Sequence, residues 1–190
     1  MNVQSSKDIL ASLVSFDTVS RNSNLDLIAW VEGYLDRLGV KHERIYDETG
    51  KKSNLWATLG PASERGYILS GHTDVVPVDD QDWTDSPFKL TERDGKLYGR
   101  GSTDMKGYVA CCLAAVPDML KANLKKPLHL SLSYDEEVGC WGVRRVIAKI
   151  PERPARPIAC FVGEPTEMDV VIGHKAKRSF KVVEIGRAHV

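Results

Sequence analysis

Four short motifs concentrate the imidazole and carboxylate groups of this chain. They are Gly71-His72-Thr73-Asp74, Gly99-Arg100-Gly101-Ser102-Thr103-Asp104, Tyr134-Asp135-Glu136-Glu137-Val138-Gly139 and Gly163-Glu164-Pro165-Thr166. Apolar, strand-like runs precede the first, third and fourth: Tyr67–Ser70, Leu128–Ser133 and Pro157–Val162. In an open α/β sheet the loops at the carboxyl ends of strands meet in one crevice, where ligands bind. One histidine and several carboxylates converging there suit zinc or a similar divalent ion. The set points to a metal-dependent hydrolase.

Each motif alone has a plainer reading. His72 and Asp74 lie two apart at a strand end, so alternation turns both toward one face. A carboxylate beside the imidazole can fix its tautomer and raise its basicity as a ligand. A capped turn after a buried strand explains the pair about as well. Asp104 falls where a helix is expected to start, and an N-cap is its ordinary role. The glycines before it match neither phosphate-loop spacing. Glu136-Glu137 offers one carboxylate to a metal and another to a water, since adjacent side chains diverge. Acid pairs on solvated turns are nevertheless common. Glu164, held extended before Pro165, reads equally as a surface turn. The conjunction decides, because one shared metal site explains four strand-end motifs more economically than four unrelated turns.

The elements that must position these groups are legible in the apolar periodicity. Ser6 is expected to cap a helix with Ile9, Leu10, Leu13 and Val14 on one face. A second helix fits Leu25 to Leu38 and stops at Gly39. Strands are expected at Lys41–Tyr46, Asn54–Leu59, Tyr67–Ser70, Leu128–Ser133 and Ile158–Val162, with helices at Met105–Ala122 and Trp141–Ile150. Pro117 should kink the first of these two helices or end it. Val75 to Arg100 reads as a long loop with a hairpin at Asp94-Gly95, packed by Trp83, Pro87 and Phe88. Val170–Ile172 and Ser179–Val183 are β-prone. The alternation of strand and helix predicts an α/β fold, a mostly parallel sheet flanked by helices.

The bulk numbers narrow the classes. With 26 basic against 26 acidic residues there is no general electrostatic pull toward nucleic acid or a membrane surface, and neither is expected as a partner. Met1 to Ser20 lacks the layout of a signal peptide, and Val109 to Val116 is far too short to span a bilayer. Cys111, Cys112, Cys140 and Cys160 form no CxxC pair and read as buried free thiols of a cytoplasmic protein. His42 and His129 read as structural, and the basic cluster His174, Lys175, Lys177 and Arg178 as a solvated face.

The stretches SGHTDVVPVDDQDW, GRGSTDMKG, SYDEEVGCWGV and GEPTEMDVVIGHKAKRS resemble the dinuclear zinc metallopeptidase and deacylase family, in order and in spacing, over roughly residues 6 to 183. Within it they look most like the acetylornithine deacetylase branch. One departure is Ala176, where the family pattern has glycine. The resemblance implies a zinc-exopeptidase-like catalytic domain and two divalent ions, zinc or possibly cobalt. It implies that His72 and Glu164 bind one ion, that Asp104 bridges, and that Glu137 binds the second together with a histidine from a later part of such chains. Asp74 would orient His72, and Glu136 would be the general base. The implied substrate is a small N-acyl amino acid, N-acetylornithine in arginine biosynthesis. A succinyl-diaminopimelate desuccinylase, a dipeptidase or an aminoacylase would use the same chemistry, and a non-catalytic metal-binding or interaction module is the reading from another class.

The resemblance also implies boundaries. Residues 1–172 correspond to the N-terminal part of the catalytic domain, and 173–183 to the start of a lid and dimerisation domain, through which a homodimer is expected. The last seven residues, 184–190, are one in-frame translation of GAG ATC GGA AGA GCA CAC GTC, a common sequencing-adapter stretch, so they are expected to be non-native. As given, the chain is expected to turn over weakly or not at all. Sequencing the source locus checks the tail: genomic codons for these seven residues followed by a stop would remove the adapter explanation.

Overall fold

A computed structural model of the chain describes residues 4–173 and Gly186. The β-prone Ser179–Val183, the basic cluster at 174–178 and, Gly186 apart, the tail 184–190 lie outside the described residues.

Helix α1 (Ser6–Val14) is capped one residue earlier than expected. Ser5 is the N-cap because Asp8 lies three residues on. The Ser5 hydroxyl accepts from the Asp8 amide, and the Asp8 carboxylate accepts from the Ser5 amide, each at 3.2 Å. Helix α2 (Leu25–Arg37) ends as expected at Gly39, which has φ +69°. The Gly39 and Val40 amides donate back to Asp36 and Leu35, each at 3.0 Å, a Schellman closure.

The main sheet has five strands: β1 (His42–Tyr46), β2 (Ser53–Leu59), β3 (Tyr67–His72), β6 (Leu128–Ser133) and β7 (Ala159–Val162), in the order β1-β2-β6-β3-β7. Only β2 runs against the other four, so the sheet is mostly parallel, as expected. Alternation sorts its side chains. Leu55, Ala57 and Leu59 of β2 and Leu130 and Leu132 of β6 face a core shared with α1, α2 and α3 (Gly107–Lys121). Trp56 and Ile68 face the other way, toward Val146 of α4 (Trp141–Lys149). His129 packs on the Trp56 ring at 4.8 Å and meets the Thr58 hydroxyl at 3.0 Å, which accounts for it structurally. Between β3 and α3 the small hairpin β4 (Thr91–Arg93) and β5 (Lys96–Tyr98) turns at Asp94 and Gly95, both with positive φ.

Two expectations are corrected and a third is narrowed. Val170–Ile172 forms no strand and is exposed. Of the four cysteines only Cys112 is buried; Cys111, Cys140 and Cys160 reach the surface, because α3, α4 and β7 each turn a face outward. Of the two outcomes expected at Pro117, the ending does not occur, since α3 continues to Lys121. Proline at 117 leaves the carbonyl of Leu113, four residues earlier, without its helical donor. The Tyr34 hydroxyl from α2 supplies one at 2.9 Å. Burial raises the pKa of that phenol, with Arg37 pulling the other way, which keeps the hydroxyl a donor.

Tyr34→Phe is therefore expected to lower stability by about 1–3 kcal/mol, the penalty for a buried carbonyl left unpaired. With Pro117→Ala present, the new amide can serve Leu113 and the loss should shrink toward zero. Urea unfolding of the four proteins in the double-mutant cycle measures it. Equal losses in both backgrounds would show that Tyr34 does not serve that carbonyl.

Candidate metal centre

The three parallel strands β6, β3 and β7 are neighbours, so their carboxyl ends open on one crevice. His72 is the last residue of β3 and pairs in register with Ser133, the last of β6. Glu136 and Glu137 follow β6 on a tight turn. Glu164 follows β7, after Gly163 donates its amide to Ser70 of β3 at 3.2 Å. A Cβ on Gly163 would fall 2.0 Å from the Tyr108 ring, so only glycine lets β7 close on α3 here.

Asp104 arrives differently. An N-cap, the plainer reading of Asp104 taken alone, is ruled out because α3 starts at Gly107. Asp104 and Met105 have non-helical backbones (φ −115°, ψ 97° and φ −133°, ψ 31°) inside a tight turn over Ser102–Lys106. That turn carries the Asp104 carboxylate away from the helix start and into the crevice, where its Oδ1 lies 2.9 Å from His72 Nε2. Glu136 Oε2 and Glu164 Oε1 each lie 3.8 Å from the same nitrogen. The ligand atoms of His72, Glu136 and Glu164 lie within 4.8 Å of one another, as do those of His72, Asp104 and Glu137. The structure thus brings five of the six expected site residues to one point, with the sixth, Asp74, behind them.

Asp74 is 2% exposed and every bond to it is internal. Its Oδ1 lies 3.5 Å from His72 Nδ1 and accepts the Glu136 amide at 3.1 Å. Its Oδ2 accepts the Ser20 hydroxyl at 2.7 Å and the Glu137 amide at 3.3 Å. Orienting His72 is thus only part of what Asp74 does; it also pins the backbone of the Glu136-Glu137 turn. Lys52 braces the same turn from outside, 2.5 Å from Asp135. Sequence reasoning misses Ser20, Lys52 and Lys106, whose partners Asp74, Asp135 and Leu13 lie 54, 83 and 93 residues away along the chain. The only local signal is Lys106, a lysine placed directly before the buried face Val109, Ala110 and Leu113.

The donor set fits a divalent ion. His72 Nδ1 donates to the Asp74 main-chain carbonyl at 2.9 Å, which fixes the tautomer and leaves Nε2 as the nitrogen that faces the carboxylates. In the metal-free chain a proton takes the place of the cation. Burial opposes charge on His72, but the hydrogen bonds and charge of Asp74, with Glu164, outweigh it and raise its pKa to about 9. Burial and the nearby Asp104 push Glu137 up to about 7, with His72 pulling the other way. Burial also raises Glu164, opposed by His72 and reinforced by Asp104 and Glu136. Asp74 is lowered: burial resists, but the bonds from His72 and Ser20 prevail. Carboxylates that repel one another around a single imidazole make a strong site for positive charge.

Beside this cluster is a cavity of about 650 Å³, reached by Glu136 and Glu164 and walled by Met105, Val143 and Val162. That size and its apolar walls with a few convergent polar groups suit a small substrate. A smaller space of about 200 Å³ adjoins Asp104 and Glu137.

A family model described as peptidase family M20/M25/M40 matches residues 68–188, more than half of the chain. The chain belongs to this family. M20 proteins are hydrolases that bind divalent metal ions. The acetylornithine deacetylases of Proteus mirabilis (strain HI4320) and Pasteurella multocida (strain Pm70) are each 40% identical to it, over 169 and 165 residues. Those matches take in 88% and 86% of this chain but 43% and 42% of the relatives, so the chain spans less than half their length. Among solved structures, human carnosine dipeptidase 1 superposes with a TM-score of 0.71 at 26% identity, over 83% of this chain and 38% of that one. Among the described residues, no helix is long and apolar enough to cross a membrane.

The site sets a pH dependence for the metal-free chain. The folded pKa values of Glu137 and His72 lie above the ordinary 4.5 and 6.5. Each group's contribution to stability is therefore full below its ordinary value and lost as pH rises through the folded one. In EDTA the melting temperature is expected to fall from about pH 5 to about pH 7, as Glu137 loses its proton, and then to level off, because above pH 7 the lowered pKa of Lys106 offsets the loss from His72. With zinc or cobalt bound the trend should reverse, because ligation needs the deprotonated groups. Differential scanning fluorimetry across this range checks both. A flat metal-free profile would contradict the electrostatics of the cluster.

Proposed function

We propose that this chain carries the larger part of a two-metal amidohydrolase site whose complete polypeptide deacylates N-acyl amino acids, with N-acetylornithine the substrate favoured by its relatives. The observation that carries the reading is the buried imidazole of His72, held through Nδ1 and surrounded at Nε2 by Asp104, Glu136 and Glu164. The 40% identity to acetylornithine deacetylases supports the substrate class, and arginine biosynthesis in the cytoplasm is the setting that follows from it.

In this reading His72 and Glu164 would hold one ion, Glu137 would hold the second, and Asp104 would serve both. Two divalent ions, zinc or cobalt, supply Lewis acidity toward the amide carbonyl and lower the pKa of water. Glu136 does the proton work. Its carboxylate takes a proton from the attacking water and returns it to the nitrogen of the leaving amine, so one water and one amide give one acid and one amine. The Asp74 bonds to the Glu136 and Glu137 amides hold the turn that carries that carboxylate against His72. A dipeptidase reading uses the same residues and is favoured by the structural likeness to carnosine dipeptidase 1.

Turnover of N-acetylornithine, N-succinyl-diaminopimelate and simple dipeptides by the complete polypeptide of this gene ranks the substrates; a marked preference for dipeptides would overturn the deacetylase reading. Glu136→Gln in that polypeptide is expected to lower kcat by a factor of about 10²–10⁴ while metal content stays near the parent value. Glu164→Gln should instead weaken metal binding. Loss of metal rather than of turnover on Glu136→Gln would reassign Glu136 as a ligand.

A further inference from the structure

Lys106 is 1% exposed, and neither the metal site nor the proton transfer uses it. Its Nζ donates to the main-chain carbonyls of Leu13 and Phe16, each at 2.9 Å. Both carbonyls sit at the C-terminal end of α1, whose last turn carries no basic residue of its own. That end of a helix presents unpaired carbonyls and partial negative charge, which a lysine satisfies. Here the lysine comes from 93 residues further along the chain.

The other end of the same residue closes the turn that carries Asp104. The Lys106 amide donates to the Gly101 carbonyl at 2.9 Å. Gly101 has φ +78°, and a Cβ there would press 2.5 Å from Val75 and 3.4 Å from the Lys106 stem. Asp104 and Met105 between them have non-helical backbones, so no helical ladder holds Asp104 in place.

We propose that Lys106 is a positioning residue: its buried amine clamps the Asp104 turn to the C-terminus of α1 and so sets where the Asp104 carboxylate meets His72 in the metal centre. The inference rests on the metal-centre reading above. Burying an amine carries a desolvation cost, but a methionine of similar volume would leave the Leu13 and Phe16 carbonyls without this donor. What the amine adds is direction, through two bonds to two fixed carbonyls. Burial lowers its pKa to about 7 against the pull of Asp17 and Asp74. Two N–H donors serve two carbonyls in either protonation state, so the clamp does not depend on that titration.

Cobalt titration of the 190-residue chain, followed by visible absorption, tests this. Lys106→Met is expected to weaken Co²⁺ binding by about tenfold or more, as loss of groups that orient metal ligands does. It should also change the band shape, and the melting temperature in EDTA is expected to fall, because two main-chain carbonyls lose their donor. A core variant remote from the site, Leu35→Ala, should lower the melting temperature and leave the Co²⁺ spectrum unchanged, which separates positioning from general destabilisation. Unaltered affinity and spectrum in Lys106→Met would overturn the proposal. Should that variant not fold, hydrogen exchange on the parent chain decides: Co²⁺ is expected to protect residues 13–17 together with 102–106, and protection of the second segment alone would overturn it. A parent chain that binds no Co²⁺ overturns the metal-centre reading, and this inference with it.

Discussion

A buried carboxylate with no route to water must have its charge answered by the protein, and Asp74 is answered from three directions at once. His72 on its own strand, Ser20 between α1 and α2, and the amides of Glu136 and Glu137 after β6 all converge on it. Leaving any of these donors unmade would strand a charge in the interior, which is strongly destabilising. The satisfaction of one side chain therefore dictates the spacing of three chain segments. Those segments carry three of the groups that face the crevice, so the geometry of the site follows from an electrostatic requirement behind it.

A second requirement arises where β3 and β6 part. Strands that separate to open a crevice give up ladder bonds, and the freed main-chain groups need other partners. Thr73 supplies much of this. Its amide and hydroxyl both donate to the Ser133 carbonyl at 2.8 Å, and its own carbonyl accepts the Thr18 hydroxyl at 2.6 Å. Asn24 completes the arrangement by donating to Thr73 Oγ1 at 3.0 Å and to the Ser53 carbonyl at 2.8 Å. The residue between His72 and Asp74 is thus held as firmly as its neighbours, although it touches nothing in the crevice. The N-terminal helices enter the site through these side chains and not through bulk packing alone.

What is legible in the sequence and what is not divides along contact range. The strands, the α2 stop at Gly39, the Asp94-Gly95 hairpin and the convergence of His72, Glu136, Glu137 and Glu164 depend on local periodicity and on a topology that parallel strands impose. Pro117 leaves two outcomes open because its remedy, the Tyr34 hydroxyl, lies on another helix. Asp104 looks like an N-cap because a favoured residue stands before an apolar helix; the irregular turn that swings it inward depends on Gly101, Val75 and Lys106 fitting together in space. The surface cysteines mislead for a related reason. Apolar character indicates burial on average, but which face of α3, α4 or β7 is covered is decided by elements distant in sequence.

The anchors share one property that suits them to a site for cations. The bonds that fix Asp74 run to an imidazole edge, a hydroxyl and two amides, and those of Lys106 run to main-chain carbonyls, so neither competes for the crevice. His72 spends its Nδ1 proton on a carbonyl and keeps Nε2 facing the carboxylates. Apart from the Cys140 thiol at 3.4 Å from Glu136, the carboxylates in the crevice make few bonds that would hold them back. Burial, reinforced by a mutual repulsion that has no internal remedy, is why Glu137 and Glu164 hold protons more tightly than free carboxyls do. A fold that has answered every charge behind the site and left those in front unanswered stores its electrostatic strain at the place where a divalent ion relieves it, and the position of that strain is set by Asp74.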